Sequence, residues 1–337
     1  MQSNLKVGII GTGFGKIIGL NFKAIDPSIK LYYSGRDKDK LIKLKEEIEI
    51  EGIFTDWKEL ITSVDLDLLV IASISSQHKE MFDFASQFNI SILIEKPAAL
   101  SSTELTEMDT NRNEKNLIVV NHEGRFNPVV DYIKDLIDTE KLGKILTIRS
   151  GAYLNWYSNE EYKETWNQKK DLGGGQLYSI GTHQLDLILY LLGSPKITDG
   201  NVQTMIFKDS RFLEEPTSDS QFSAHFTTSK GTSIQLYNDC YCFGYKDFTL
   251  EVLGDKGIVI YSDQRGLKIS YSNKQPLEEI VLKDSIPTVT LGNSILTKSM
   301  KYMVKALVNS ITTGKYDPRF CSLEDEKFVL YLFEKYS

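Results

Sequence analysis

The fold of this chain is decided by Lys6-Val-Gly-Ile-Ile10, which runs straight into Gly11-Thr-Gly13-Phe-Gly15-Lys16. The apolar run predicts a buried strand, and the glycines predict a tight turn that opens a helix. Glycine lets backbone N–H groups approach a pyrophosphate, and the helix adds the positive end of its dipole. A tight turn that binds nothing is the alternative, because Lys16 stands at the third position of the usual G-x-G-x-x-G pattern.

The same alternation of an apolar run with a helix-like stretch continues through the first 121 residues. Further apolar runs occupy residues 29–33, 67–71, 91–94 and 117–120, and helix-like stretches occupy 37–50, 78–88 and 101–115. Continuous runs of Val, Ile and Leu are typical of parallel strands that are buried on both faces. We therefore predict an α/β domain over residues 1–121, with the doubly wound parallel sheet of the Rossmann type.

The pattern changes after Asn121. Helices are predicted at about 128–140, 175–192 and 294–313, a strand from 144, and a series of closely spaced strands throughout 196–283. Short strands separated by turn signals form antiparallel sheets. Residues 122–337 are therefore predicted to form a second domain of the α+β class, built on a large, open and mainly antiparallel sheet. Its C-terminal helix could pack back on the first domain.

Composition excludes several classes of function. The chain has 337 residues, of which 46 are acidic and 39 basic, and its net charge is −7. Such a chain is a poor candidate for binding nucleic acid, which needs a basic surface. It has no apolar run near the roughly 20 residues of a membrane span and no signal-peptide pattern, so we expect no membrane partner and a cytoplasmic location. Its three cysteines lack metal-ligand spacing, and we expect no metal.

The cofactor preference is read from the residues that follow the second apolar run. An acidic residue there, about 20 residues after the glycine turn, would bind the ribose hydroxyls of NAD. The sequence is Tyr33-Ser34-Gly35-Arg36-Asp37, with no acid right at the expected strand end. Arg36 and Ser34 could bind a 2′-phosphate instead, so we predict NADP as the preferred cofactor and NAD as possible. The alternative is that Arg36 only begins the next helix on a solvated face.

Two later segments resemble those of a known family. One is Ile94-Glu95-Lys96-Pro97, and the other is Gly173-Gly-Gly175-Gln-Leu-Tyr-Ser179-Ile-Gly181-Thr-His183-Gln-Leu-Asp186. With the glycine turn and the segment 121–128, they resemble the glucose–fructose oxidoreductase/inositol dehydrogenase/MocA-like (Gfo/Idh/MocA) family over essentially the whole chain. The resemblance implies a Rossmann domain, a C-terminal domain with an open sheet, and NAD- or NADP-dependent chemistry on sugars, nucleotide sugars, sugar phosphates or inositols.

The resemblance also implies site residues. The family's catalytic lysine corresponds to Lys96 and its catalytic histidine to His183. The aspartate that inositol dehydrogenases carry four residues before the histidine corresponds to Ser179, and this departure argues against an inositol-type substrate and a triad of lysine, aspartate and histidine. Besides the three glycines of the turn, the predicted cofactor contacts are Phe14, Ser34, Arg36, Ala72, His78, Glu95 and Lys96.

The residue types support the same site independently. Lys96 follows a buried strand, at the edge where open α/β sheets bind ligands. A partly desolvated lysine beside an oxidised nicotinamide has a lowered pKa and could accept the proton of a hydroxyl group. Helical spacing places Ser179, His183, Asp186 and Tyr190 on one face. Asp186 could hold the tautomer of His183 or have a structural role. His183 is the favoured proton carrier because its reference pKa is nearer neutrality, and Lys96 would then orient and polarise the oxygen.

Aromatic and polar residues near the glycine-rich segment are candidates for substrate binding. The predicted substrate contacts are Arg125, Tyr153, Asn155, Trp156, Trp166, Ser179 and Asp186. Aromatic rings suit the apolar face of a sugar, and the amide of Asn155 suits its hydroxyl groups, although each aromatic could equally be a packing residue. Arg125 is predicted to contact a substrate phosphate or the backbone of the interdomain hinge.

These interpretations predict an NAD(P)-dependent enzyme that moves a hydride to or from a CH–OH carbon of a sugar, a sugar derivative or a cyclitol. Residues 122–337 would bind this small molecule and mediate assembly into a homodimer or homotetramer. The alternative from another class is a non-catalytic, cofactor-binding regulator or sensor, against which the retention of Lys96 and His183 argues. A reductase of another unsaturated small molecule is a third possibility.

Overall fold

The computed structural model describes residues 4–157, 165–208, 214–271, 276–282 and 295–337, with the backbone alone for 295–297. The chain divides into two compact units. Within the described ranges, the first unit comprises residues 4–123 and 297–328, and the second comprises the rest. The chain therefore leaves the first unit after Glu123. The predicted functional division between residues 121 and 122 stays a prediction.

The first unit contains a six-stranded parallel sheet with helices in its connections. Its strands are β1 Lys6–Ile10, β2 Lys30–Ser34, β3 Gly52–Phe54, β4 Leu68–Ile71, β5 Ser91–Ile94 and β6 Ile118–Val120. Its connecting helices are α1 Phe14–Ile25, α2 Lys38–Glu47, α3 Trp57–Ser63, α4 His78–Ala85 and α5 Ser102–Asn111. The strand order β3-β2-β1-β4-β5-β6 is that of a Rossmann sheet and confirms the predicted fold of this half.

The order of the strands reverses between β1 and β4, which are paired in parallel. All four residues of β4 are buried, as expected of a central strand covered on both faces. Ligands of such sheets bind outside the carboxyl ends of the strands at this switch point. The glycine turn follows β1, and Lys96 follows β5, so both lie at this edge. Strand β3 and helix α3 were not predicted, because three half-buried residues give too short a pattern.

The second unit is built on an eight-stranded sheet. Its elements are α6 Pro128–Asp138, β7 Ile145–Tyr153, α7 Thr182–Leu192, β8 Ile197–Met205, β9 Gln221–Thr228, β10 Ser233–Asp239, β11 Asp247–Gly254, β12 Ile258–Ser262, β13 Gly266–Ser270 and β14 Glu278–Ile280. The strand order is β14-β13-β12-β11-β7-β10-β9-β8. Neighbouring strands are antiparallel except β7 and β10, which pair in parallel. The predicted open, mainly antiparallel sheet is therefore confirmed.

Helix α7 covers one face of this sheet. Gln184 of α7 donates from Nε2 to Ser150 Oγ of β7 at 3.2 Å and to the carbonyl oxygen of Tyr237 in β10, also at 3.2 Å. The alternating apolar residues of β9 are buried, and the Phe226 ring lies 6.4 Å from that of Phe333. Because successive residues of a strand point to opposite faces, the intervening polar residues of β9 lie on the other side.

Two helices close the chain, α8 Ile295–Thr313 and α9 Leu323–Tyr336. The predicted helix at 294–313 matches α8, although Ser294 itself lies outside the described residues. Helix α9 runs across the boundary between the units at Phe328. Within the described ranges, no helix combines the length and the apolar composition needed to cross a lipid bilayer.

Candidate active site

The glycine turn after β1 is required by close backbone packing. Gly11 has φ +112°, and a Cβ placed there would lie 2.2 Å from the carbonyl oxygen of Ala72. A Cβ at Gly15 would lie 2.8 Å from the side chain of Ile9. Larger residues at either position would therefore force the β1 turn away from β4 or α1 away from the sheet. Gly13 differs, because its added Cβ would meet open space.

The N-terminus of α1 is arranged to receive an anion. Helices α2, α3 and α5 are each preceded by a residue whose side chain accepts hydrogen bonds from backbone N–H groups of the first turn. These residues are Asp37, Asp56 and Ser101. Helix α1 begins after Gly13, and among the described residues no side chain caps it and no acid occupies its first turn. Its first N–H groups and its dipole are thus directed at the space beside Gly13, which fits a dinucleotide pyrophosphate.

The end of β2 presents a hydroxyl group and a cation. Ser34 is the last residue of β2 and is buried, while Arg36 is exposed. The nearest acid, Asp37, accepts hydrogen bonds from the backbone N–H groups of Asp39 and Lys40, both at 3.0 Å. The Lys40 N–H bond holds the pKa of Asp37 below its usual range. The acid is therefore committed to capping α2.

Lys96 lies among carboxyl groups at the ends of two adjacent strands. β5 and β6 pair in parallel with Ile94 opposite Val120, so the residues that follow them leave the sheet side by side. Glu95 is buried, and its Oε1 accepts a hydrogen bond from Asn121 Nδ2. Glu123, two residues beyond Asn121, is also buried. Lys96 itself is half-buried and follows Glu95 directly.

Helix α9 brings a third carboxyl group to this edge. His122 Nε2 and Glu326 Oε2 are 2.7 Å apart, and both side chains are fully buried. The Val120 N–H donates to the Cys321 carbonyl oxygen at 2.9 Å just before α9 begins. The end of β6 is thus anchored to the start of α9. His122 had no predicted role.

Burial shifts the pKa values of Glu95, Glu123 and Lys96. It raises the pKa of Glu95 to about 6 and that of Glu123 to about 8, the latter with help from the negative charge of Glu95. Burial lowers the pKa of Lys96, against the opposing charges of Glu95, Glu123 and Glu326. Such displaced values are typical of sites that exchange protons.

His78 braces the loop that carries Lys96. Its Nδ1 lies 3.0 Å from the carbonyl oxygen of Pro97, and its Nε2 lies 3.1 Å from that of Ser73. The Lys96–Pro97 peptide bond is cis. Burial lowers the pKa of His78 to about 4, so the ring is neutral at pH 7. Because its side chain is buried and both ring nitrogens face carbonyl oxygens, we omit His78 from the proposed cofactor contacts.

His183 lies in the first turn of α7 and is buried. One turn later, Asp186 receives two hydrogen bonds from Arg125, Nε to Oδ2 at 2.9 Å and Nη2 to Oδ1 at 2.6 Å. The Arg125 guanidinium also lies over the Tyr190 ring, 5.2 Å from its centroid. This bidentate ion pair is a structural bond between α7 and the segment before α6. We therefore remove Arg125 and Asp186 from the proposed substrate contacts.

A π-helical turn at Leu177–Gly181 precedes α7 and changes the predicted spacing. The Thr182 N–H donates to the Leu177 carbonyl oxygen, five residues back. The wider turn rotates Ser179 relative to His183 by comparison with a continuous α-helix, so the predicted single stripe is not regular. Asp219 supports this turn by accepting the Leu177 N–H at Oδ2, at 2.8 Å.

Among the predicted substrate contacts on and after β7, Tyr153 lies on the face of the sheet opposite to α7. Ser150 faces α7, so Tyr153, three residues on, lies on the opposite face of the sheet. Tyr153 Oη donates to Tyr237 Oη at 3.1 Å on that face. We therefore omit Tyr153 from the proposed substrate site. The other three candidates, Asn155, Trp156 and Trp166, are half-buried and follow β7 or precede the glycine-rich segment.

The predicted residues thus fall into two groups, one in each unit. Those of the first unit lie at or just after the ends of β1, β2, β4 and β5, namely Gly11, Gly13, Phe14, Gly15, Ser34, Arg36, Ala72, Glu95 and Lys96, except for His78, which begins α4. The second unit holds the other predicted residues, Arg125, Tyr153, Asn155, Trp156, Trp166, Ser179, His183 and Asp186. Prediction from sequence missed Glu123 and Glu326. The position of Glu123, three residues after a strand at the ligand-binding edge, was a signal for the first, whereas Glu326 gave none.

Two family models match the chain. Residues 5–122 match a model described as an oxidoreductase family with an NAD-binding Rossmann fold. Residues 130–260 match the Gfo/Idh/MocA C-terminal domain. The chain belongs to the Gfo/Idh/MocA oxidoreductase family. The predicted family is confirmed, and so is the prediction of a nicotinamide-dependent oxidoreductase.

Several relatives of this Gfo/Idh/MocA protein have names that state an enzymatic activity. It is 28% identical over 217 residues to levoglucosan dehydrogenase from Pseudarthrobacter phenanthrenivorans, covering 61% of this chain and 55% of the relative. It is 27% identical to 2,7-anhydro-N-acetylneuraminate hydratase from Mediterraneibacter gnavus, covering 73% and 69%. It is 21% identical to myo-inositol 2-dehydrogenase from Thermotoga maritima, covering 80% and 79%.

Solved structures confirm the fold of the family over nearly the whole chain. Levoglucosan dehydrogenase in complex with NADH and levoglucosan superposes with a TM-score of 0.88 at 20% identity, covering 98% of this chain and 96% of that one. GenD2 from gentamicin A biosynthesis, in complex with NAD, has a TM-score of 0.79 at 18% identity, covering 98% and 92%.

Proposed function

We propose that this protein is an NAD(P)-dependent dehydrogenase or reductase acting on a CH–OH carbon of a sugar, nucleotide sugar, sugar phosphate or cyclitol. The observation that carries the proposal is Lys96, whose pKa burial lowers, at the carboxyl edge of an NAD-binding sheet beside an uncapped, glycine-led helix. A non-catalytic regulator would need the glycine turn but no reactive lysine. The carbohydrate names of two dehydrogenase relatives support this class of substrate.

Different residues of the chain would bind the cofactor, exchange the hydroxyl proton and orient the substrate oxygen. The nicotinamide, when bound, accepts or donates the hydride. Gly11, Gly13 and Gly15 would admit the pyrophosphate to the N-terminus of α1. We propose that Lys96 exchanges the hydroxyl proton, because its lowered pKa gives it a neutral form that can accept one. This revises the sequence-based preference for His183 as proton carrier, and His183 would then orient and polarise the substrate oxygen.

We also propose NADP as the preferred cofactor. Arg36 is exposed after β2, Ser34 ends that strand, and the neighbouring Asp37 is committed to capping α2. A guanidinium can bind a phosphate through two parallel hydrogen bonds, whereas a ribose diol is better served by an acid. The predicted homodimer or homotetramer and the cytoplasmic location stay predictions.

The test is a screen of sugars, nucleotide sugars, sugar phosphates, anhydro sugars and inositols with NAD(H) and with NADP(H). The change in nicotinamide absorbance measures turnover of each compound. We expect turnover with at least one compound. Lys96→Met and His183→Asn should each lower kcat by about 10²–10⁴-fold, because general acid–base help and orientation are lost. Both variants should keep their folded circular dichroism spectrum and should bind NADPH like the parent protein.

A matched control is Lys115→Met, which removes an exposed lysine just before β6 of the same unit and should leave kcat unchanged. Cofactor binding without turnover of any compound would favour the regulator instead. Full activity of Lys96→Met on a compound identified in the screen would contradict the proposed role of Lys96.

A further inference from the structure

Residues 217–219, which precede β9, are tied to the helical turn Trp166–Gln168 of the same unit. Ser218 donates from Oγ to the Asn167 carbonyl oxygen at 2.7 Å and from its backbone N–H to the Gln168 carbonyl oxygen at 3.2 Å. Ser218 and Gln168 are both buried. Because two consecutive carbonyl oxygens hold it, this segment is a fixed support for the residues that pack on it.

Asp219 of this segment caps the π-helical turn Leu177–Gly181 from a distant part of the chain. The first N–H groups of a helical segment have no partner within it. Asp219 Oδ2 accepts the Leu177 N–H at 2.8 Å, and the Asp219 carbonyl oxygen accepts the Gln176 N–H at 3.1 Å. One residue, 42 positions further along the chain than Leu177, thus fixes where the turn begins.

Gly175 is fitted to the same carboxyl group. Its φ is +108°, in the left-handed region that favours glycine, and a Cβ placed there would lie 2.3 Å from Asp219 Oδ1. The Gly175 carbonyl oxygen accepts the Ser179 N–H at 2.9 Å. The carboxyl group therefore packs directly on the backbone to which Ser179 is hydrogen-bonded.

The π-helical turn lies between two anchors. Asp219 holds its start, and Gln184 holds α7 to the sheet through Ser150 and the Tyr237 carbonyl oxygen. Single π-helical turns inside α-helices are rare and frequently lie at functional sites. Conversion to a regular α-helical turn would rotate the preceding residues by about 100° relative to α7, which is one residue of an α-helix.

We propose that Asp219 is a positioning residue whose carboxyl group holds the π-helical turn and so sets the place of Ser179 relative to His183. This role rests on the proposed function, because Ser179 and His183 are active-site residues only if the protein is such an enzyme. The position of the carboxyl oxygen is what matters, and its charge is not required. Asp219→Asn keeps an oxygen that accepts the Leu177 N–H, Asp219→Glu keeps the charge but moves it by one methylene, and Asp219→Ala removes both.

The direct test needs no substrate. The chain has four histidines, so protein labelled with ¹⁵N-histidine gives one backbone amide NMR signal for each, and His183→Asn identifies that of His183. His183 directly follows Thr182, whose N–H donates to the Leu177 carbonyl oxygen, so its amide signal depends on the hydrogen-bond pattern of the turn. Asp219→Ala and Asp219→Glu should both move this signal, whereas Asp219→Asn should leave it near its position in the parent protein.

Asp247→Ala is the matched control for a general loss of stability in the same unit. The Asp247 carboxyl group accepts hydrogen bonds from Ser262 Oγ and Tyr245 Oη, both at 2.8 Å. Asp247 pairs with Tyr153, on the face of the sheet away from α7. The control variant should be less stable than the parent protein but should leave the His183 signal unmoved.

Once a substrate is known, Asp219→Ala should lower kcat by about 10–100-fold, because a displacement of about 1 Å at an active site has an effect of this size. Asp219→Asn should keep most of kcat, and NADPH should bind all these variants equally, since the proposed cofactor contacts lie in the first unit.

An unmoved His183 signal in folded Asp219→Ala or Asp219→Glu would overturn the inference, and if Asp219→Ala does not fold, Asp219→Glu alone decides. An equal displacement of the signal in Asp219→Asn or in Asp247→Ala would overturn it as well. Because the NMR measurement needs no turnover, failure to find a sugar substrate would count against the proposed function alone.

Discussion

Two buried polar regions of this protein, one in each unit, are built in different ways. Around His183, the acid Asp186 is fully engaged by the two hydrogen bonds of Arg125, and Gln184 is bonded to β7 and β10. Around Lys96, burial moves the pKa values of Glu95, Glu123 and Lys96 itself away from their usual range, and the buried Glu326 is paired with His122. A paired buried charge belongs to the scaffold, whereas groups with displaced pKa values are typical of sites that exchange protons.

The contrast between the two polar regions is tested most strongly by breaking the ion pair between Arg125 and Asp186. Arg125→Met should leave Asp186 as an uncompensated buried charge and lower the free energy of unfolding by about 3–5 kcal/mol. Urea titration followed by circular dichroism measures this loss. If Asp186 were instead a substrate residue on a flexible side chain, the variant would lose activity with little loss of stability.

A double variant sharpens the same experiment. Asp186→Leu combined with Arg125→Met replaces the ion pair by apolar side chains of similar size and should recover most of the lost stability. Lys134→Met serves as a control, because its ammonium also lies over Tyr190, at 5.8 Å, but it binds the exposed Asp138. It should cost no more than about 1 kcal/mol.

The sequence predicted the region around Lys96 better than the region around His183 for a physical reason. Gly11 and Lys96 belong to local patterns, a glycine turn after one apolar run and a charged residue after another, and the parallel sheet brings such positions to one edge. The face on which Tyr153 lies was not predicted, because it depends on register against neighbouring strands, which a single strand does not reveal. The π-helical turn before His183 likewise has no signature in residue spacing.

Long-range partners were beyond prediction from the sequence. Glu326 lies 204 residues from His122, and nothing in either segment indicates that they meet. Arg125 and Asp186 are 61 residues apart and each had a plausible functional role by itself. Residue type predicts that a buried charge needs a partner but does not identify it. The family resemblance filled part of this gap, because it assigned roles to Lys96 and His183 together.

His78, which holds the loop that carries Lys96, provides a second test with a smaller expected effect on the free energy of unfolding. The pKa of His78 is about 4 in the folded protein against about 6.5 when unfolded, so its contribution to stability is complete above pH 6.5 and is lost as the pH falls towards 4. Between pH 7 and pH 5 this loss should be about 2 kcal/mol. We expect the parent protein to lose that much more stability over this range than His78→Asn.

The difference in pH dependence between the parent protein and His78→Asn cancels the contributions of the buried carboxyl groups. These contributions are present in both proteins, and they change stability with pH in the direction opposite to that of His78. His225→Asn is the matched control, since His225 is an exposed histidine near Ser233 Oγ and its replacement should leave the pH dependence unchanged. If His78→Asn kept the full pH dependence of the parent protein, the ring would be protonated in the fold and the low pKa would be wrong.

The smallest effect is expected at Arg36, which contrasts with both buried regions because its charge is exposed. An exposed guanidinium adds little to the stability of the protein itself, but it can bind a phosphate brought by a ligand. Arg36→Ala should therefore weaken NADPH binding roughly tenfold and leave NADH binding nearly unchanged, since one charge-assisted hydrogen bond to the 2′-phosphate is lost. Fluorescence titration of both cofactors measures the two dissociation constants, and Lys38→Ala, two residues later, controls for the general loss of positive charge. Equal weakening of NADH and NADPH, or tighter binding of NADH by the parent protein, would contradict the proposal that Arg36 selects NADP through the 2′-phosphate.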